Sequence, residues 1–156
     1  MTSQTFSIAL PTAEDTDNLG QVLSRYARTG DCILLTGQIG AGKSALARAF
    51  IRARLGPDTE VPSPTFTVVQ TYEDENVEIW HADLYRLSDT QEAVELGLTD
   101  AFDEHICLIE WPELLEGIVP DSALSIHLTV HDTHHLATLT YMANWQDRLA
   151  GLQTNA

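Results

Sequence analysis

From Cys32 to Leu55 the chain runs through an apolar stretch, a glycine-rich octapeptide and an amphipathic stretch, an order that few folds accept. Cys32-Ile33-Leu34-Leu35-Thr36 has no polar side chain before its end, the pattern of a strand covered on both faces of a sheet. Gly37-Gln38-Ile39-Gly40-Ala41-Gly42-Lys43-Ser44 follows with the spacing G-x-x-x-x-G-K-[ST]. Leu46, Ala47, Phe50, Ile51 and Leu55 then recur at helical spacing, and Gly56-Pro57 ends the helix. Strand, glycine loop and helix in this order predict an α/β domain.

The octapeptide carries its own chemistry. Its glycines let the backbone turn tightly and bring main-chain N–H groups against an anion with no Cβ in the way. The N–H groups of Gln38, Ile39, Gly40, Ala41 and Gly42 are therefore expected to cradle phosphate. Lys43 supplies a point charge to the β- and γ-phosphates, and Ser44 offers a hydroxyl to Mg2+. The helix opening at Ser44 turns its positive dipole end to the same phosphates. The expected ligand is a polyphosphate with magnesium.

Size and charge limit the remainder. At 156 residues the chain is expected to be one domain, 1–156, large enough to bury a core. No apolar stretch approaches the roughly 20 residues of a membrane span. Met1-Thr2-Ser3-Gln4 lacks the basic start of a secretory signal, so the expected location is cytoplasmic. Cys32 and Cys107 each sit in an apolar run, as small buried hydrophobes do, and form no metal or redox motif. Lys and Arg total 8 against 23 Asp and Glu, a formal charge of −15. Such a surface opposes direct binding of a nucleic-acid backbone.

Around the loop the chain punctuates clearly. Thr5 to Leu10 alternates as a half-exposed strand ended by Pro11. Thr12 with Asp15 forms a helix start, and Leu19, Val22, Leu23, Tyr26 and Ala27 mark one helical face before Gly30. Pro62-Ser63-Pro64 breaks the chain, and the β-branched and aromatic content of Thr65 to Tyr72 predicts a strand. An acidic turn, Glu73-Asp74-Glu75-Asn76, leads to Val77 to His81 as an antiparallel partner. Residues 89–97 read as a helix with Gly97 as cap. Ile106-Cys107-Leu108-Ile109 is a second apolar run, expected beside the phosphate-loop strand and ending at Glu110. Ala123 to Val130 and Leu136 to Met142 read as a second hairpin, and 144–152 as a short helix. The sum is a three-layer α/β domain with parallel central strands and antiparallel additions.

Phosphoryl transfer needs a fixed Mg2+ and an oriented nucleophile besides the cradle. Glu110, at the tip of an apolar strand, falls in the crevice where open α/β sheets bind ligands, and would hold magnesium directly or through a water. In His81-Ala82-Asp83-Leu84-Tyr85-Arg86, either Asp83 and Arg86 serve the reaction or they form an ion pair that pins a turn. Thr65, in Ser63-Pro64-Thr65-Phe66-Thr67, is placed to reach magnesium, although this segment also reads as a stiffened turn. His131-Asp132-Thr133-His134-His135 has imidazoles fit for a metal but no thiolate to complete a set, and reads as a solvated hairpin turn.

Taken together, GQIGAGKS at 37–44, SPTFTVV at 63–69, HADLYRL at 81–87, ELGL at 95–98 and ICLIEWPE at 106–113 resemble the TsaE (formerly YjeE) family, small bacterial P-loop ATPases of tRNA threonylcarbamoyladenosine biosynthesis. The resemblance implies a P-loop NTPase fold and a weak, partner-dependent ATPase that binds ATP or ADP with Mg2+. It implies a complex with two partner proteins, of the TsaB and TsaD type, that forms N6-threonylcarbamoyladenosine on tRNAs reading codons that start with A. Those partners would hold the tRNA. Lys43, Asp83 and Glu110 are then the catalytic residues, Ser44 and Glu110 the metal ligands, Trp111 and Pro112 a wall of the site, and Thr12 a contact near the adenine.

Two departures stand out. Family loops usually read G-D/E-L-G-A-G-K-T, whereas Gln38 here replaces the acidic residue and Ser44 the threonine. Serine keeps the hydroxyl, but Gln38 removes a charge near the phosphates. Two other functions fit the same loop: a nucleotide-gated binding module without essential hydrolysis, and a small-molecule kinase. The kinase reading lacks an arginine-rich lid, and no N-K-x-D segment supports guanine.

Overall fold

The computed structural model describes residues 2–75 and 77–154; Met1, Asn155, Ala156 and Asn76, the last residue of the expected acidic turn, lie outside them. The described residues form a seven-stranded sheet. Its strands are β1 (Gln4–Leu10), β2 (Cys32–Thr36), β3 (Val69–Asp74), β4 (Val77–Asp83), β5 (Ile106–Glu110), β6 (Leu124–Val130) and β7 (His135–Tyr141). They lie in the order β1-β7-β6-β2-β5-β4-β3. β2 pairs in parallel with both β5 and β6, and β4 with β5. Antiparallel ladders add β7 and β1 at one edge and β3 at the other.

Burial explains the centre. The first four residues of β2 and of β5 are buried, so these stretches must be apolar on both faces, and β5 ends on the buried Glu110. One core lies between the sheet and the helices α1 (Ala13–Tyr26), α2 (Lys43–Leu55) and α5 (Ala143–Thr154), with Leu23, Phe50 and Trp145 at its heart. A second core, around Cys107, Ile109, Leu98 and Phe102, lies under α3 (Thr90–Glu95) and α4 (Leu98–Glu104) on the opposite face. These are the expected three layers. α1 starts on a capping box: the Thr12 side chain accepts from the Asp15 N–H, and the Asp15 carboxylate accepts from the Thr12 N–H at 2.9 Å. It then presses on α2 so closely that a Cβ on Gly20 would meet that of Ala49 at 2.7 Å.

Several boundaries differ from the sequence reading. The strand expected from Thr65 begins only at Val69, because Val68 N–H bonds back to the Pro64 carbonyl at 2.7 Å and Val69 N–H to Thr67 at 2.8 Å, closing a turn. The strand then runs through Asp74, where a turn was expected. The helix expected over 89–97 ends at Glu95, and α4 follows it unforeseen. Gly97, at φ +91°, reverses the chain between the two, and Leu98, Ala101 and Phe102 bury α4 on the sheet. The last helix spans Ala143–Thr154, longer than 144–152 at both ends.

Candidate nucleotide-binding site

Strand parity brings the site together. The parallel register sets Ile79 beside Ile106, His81 beside Leu108 and Asp83 beside Glu110, so these side chains alternate onto one face of the sheet. Ile79, Ile106 and Leu108 belong to the core beneath α1 and α2. Asp83 and Glu110 therefore emerge on the side where α2 begins, and Ser44 Oγ donates to Glu110 at 3.0 Å from Oε1 and 3.2 Å from Oε2. Glu110 is only 2% exposed, and a carboxylate so buried needs such partners. Its second partner is His81, whose Nε2 lies 2.6 Å from Oε2.

The glycine loop closes the other wall. Gly37 sits at φ +135°, and a Cβ there would stand 2.3 Å from the Leu128 carbonyl oxygen, so no other residue fits. Gly42, at φ +107°, precedes α2 without any side-chain cap, and the first turn of the helix holds no acidic residue. Its N-terminus therefore has no side-chain acceptor among the described residues. Lys43 is buried, donates to the carbonyls of Gly37 and Gln38, and lies 4.2 Å from the centroid of the Trp111 ring. Burial pushes its pKa down, against the opposing pull of Glu110, Asp83 and Glu113.

A cavity of about 390 Å3 is lined by Ile39, Gly40, Gly42, Lys43, Ser44, Thr65, Asp83, Tyr85, Glu110 and Trp111, among others. The structure thus brings Lys43, Ser44, Asp83 and Glu110 together, and Thr65 with them. Asp83 accepts from the Tyr85 N–H at 3.0 Å and from Thr65 Oγ1 at 3.4 Å. Among the described residues Arg86 forms no ion pair with Asp83; its guanidinium lies 4.4 Å over the Phe66 ring. Trp111, at φ +57°, turns the chain after β5, and its ring faces Tyr85 at 4.9 Å. Pro112 is buried behind it and opens a short 3-10 turn. Gln38 is exposed, and Ala41 is buried with its N–H on the Gln38 carbonyl. Thr12 caps α1 and is not among the residues lining the cavity.

The donor set suits magnesium and phosphate: a hydroxyl and a carboxylate share one hydrogen bond beside open amides and an ammonium. Two histidines escaped assignment. His81 was visible as the residue two before Asp83, on the same strand face. His135 is half-buried, and its Nδ1 lies 3.1 Å from the carbonyl of Ala41 in the phosphate loop, 94 residues away, a contact no local pattern signals. His131 and His134 stack at 5.3 Å in the exposed turn. No group of three or more His, Cys, Asp or Glu side chains forms a metal site among the described residues. Nor is any described helix long and apolar enough to cross a membrane.

Comparison with known proteins identifies the family. The profile of the family "Threonylcarbamoyl adenosine biosynthesis protein TsaE" matches residues 10–137. Proteins named tRNA threonylcarbamoyladenosine biosynthesis protein TsaE are similar over most of the chain. The Rickettsia felis protein is 36% identical over 80% of this chain and 73% of its own length. That of Bacillus subtilis is 33% identical over 87% and 85%, and that of Haemophilus influenzae 39% identical over 71% and 70%. The crystal structure of YdiB from Bacillus subtilis superposes with a TM-score of 0.79 at 24% identity, covering 99% of this chain and 97% of that one, and shares the fold. With its profile matched and its relatives aligned over most of their length, the chain belongs to the TsaE family of tRNA threonylcarbamoyladenosine biosynthesis proteins.

Proposed function

We propose that this chain is a single-domain P-loop ATPase, the ATP-binding and weakly hydrolysing subunit of a complex that forms N6-threonylcarbamoyladenosine on tRNA. The observation that carries this reading is the Ser44–Glu110 hydrogen bond of 3.0 Å at the mouth of the glycine loop, with Lys43 and Asp83 on the same cavity. Backbone N–H groups of residues 38–44 grip the phosphate tail of ATP or ADP, that of Ala41 after giving up its bond to the Gln38 carbonyl, and Lys43 leaves its carbonyl partners to join them. Ser44 and Glu110 hold Mg2+, which neutralises charge on the β- and γ-phosphates. Asp83, tied to Thr65, orients the attacking water. The chain joins two partner proteins, of the TsaB and TsaD type; the tRNA is held outside this chain and a partner performs the transfer, a division that the charge of −15 supports.

Phosphate release tests the reading. With both partners present, the wild-type chain is expected to release phosphate from ATP, and Lys43→Ala to release about 100-fold less or none, as loss of a charge-stabilising group predicts. If neither the chain alone nor the mixture exceeds the Lys43→Ala control, the enzymatic reading fails.

A further inference from the structure

We propose that His81 is a positioning residue that fixes Glu110 for the metal, an inference that rests on the function proposed above. His81 lies on β4 two residues before Asp83, and Glu110 is the register partner of Asp83, so the imidazole sits one side-chain step beneath the carboxylate on the same face. It is 1% exposed, with Nε2 at 2.6 Å from Glu110 Oε2. An ionised carboxylate only accepts, so Nε2 carries the hydrogen and donates it.

The other ring nitrogen distinguishes this histidine from one kept for packing. His81 Nδ1 is buried and has no hydrogen-bond partner among the described residues. An apolar residue would fill the same space without stranding a polar atom, so the bond to Glu110 is the one gain the imidazole brings. Its effect is geometric. Ser44 has a single hydroxyl hydrogen to share between two carboxylate oxygens, and both lie within 3.2 Å of it. With Oε2 held by His81, the carboxylate cannot turn about its own axis, and Oε1 stays beside Ser44 with no other protein donor among the described residues. Residues that orient a metal ligand in this way typically govern metal affinity rather than binding of the remaining ligand.

The test compares His81→Asn with His81→Gln. The amide of glutamine reaches about as far as Nε2, whereas that of asparagine stops near Nδ1. ADP affinity is measured by calorimetry across a Mg2+ series, and the Mg2+ concentration giving half of the affinity gain is read for each chain. His81→Asn is expected to raise that concentration by about 10- to 100-fold, as loss of an outer-shell partner does. His81→Gln should stay within about 3-fold of wild type, and Mg2+-free ADP affinity should be the same in all three chains. An unshifted Asn variant overturns the proposal, as do equal shifts in Asn and Gln, which would mean packing. Should the Asn chain fail to fold, His81→Leu, which removes the donor without adding an unpaired amide, replaces it with the same expectation. A wild-type chain indifferent to Mg2+ would sink the proposed metal site, and this inference with it; a wild-type response shared by the Asn variant sinks this inference alone.

Discussion

Lys43 is folded back on its own loop, between two carbonyls and the Trp111 ring, and under the function proposed above it exchanges these for phosphate oxygens when nucleotide binds. Its pKa lies below the ordinary 10.5 because burial penalises the ammonium. A bound polyphosphate favours the charged form and raises that pKa again. Binding is therefore complete below the nucleotide-free pKa and weakens as pH rises through it. ADP affinity measured from roughly pH 7 to 11 should begin to fall below the usual lysine range. The Lys43→Met variant, weaker throughout, should show no such alkaline slope. At this scale the sequence was eloquent: spacing alone marked Lys43 and Ser44, and a strand end marked Glu110. Nothing local announced His135, since its partner Ala41 is reached only through the sheet.

Elements were legible where their pattern was strong and hidden where tertiary burial decided. The capping box at Thr12 and Asp15 was readable because it lies within four residues of chain. α4 was not, since Leu98 to Glu104 is too short to show a helical period and is held by the second core. α5 shows the same reliance on distant partners. Arg148 donates to Asp31, ahead of β2, at 2.6 and 3.1 Å and to the Tyr26 carbonyl at 3.0 Å, while stacking 3.7 Å over Trp145. Both side chains are nine-tenths buried, so removing one leaves the other charge uncompensated. Arg148→Ala is expected to cost about 3–5 kcal/mol of stability, read as a lowered midpoint in urea unfolding. Adding Asp31→Ala should recover part of it, because the stranded carboxylate is then gone.

For the molecule as a whole, charge decides what it can touch. The net charge of −15 repels a polyanion, and the cations that exist are mostly engaged. Arg48 and Arg52 donate to the Val61 and Thr59 carbonyls, Arg54 to Asp74 and the Ser24 carbonyl, and Arg148 to Asp31. A groove of about 920 Å3 between α1 and α2 gathers Arg25, Arg48, Arg52 and Arg54, yet Asp17 and Asp74 line it too. The isolated chain is expected to bind tRNA more weakly than about 10⁻⁴ M at physiological salt, the weak end of non-specific binding, as fluorescence anisotropy would show. The glycine octapeptide between an apolar run and an amphipathic one determined the central strand, the loop and its helix, because those constraints act within some twenty residues. The apolar run of β5 already placed it beside β2, but that β6 flanks β2 on its other side, how His81 reaches Glu110 and His135 the loop, and why α4 exists were decided only by the folded sheet, since register and burial join residues that no local period relates.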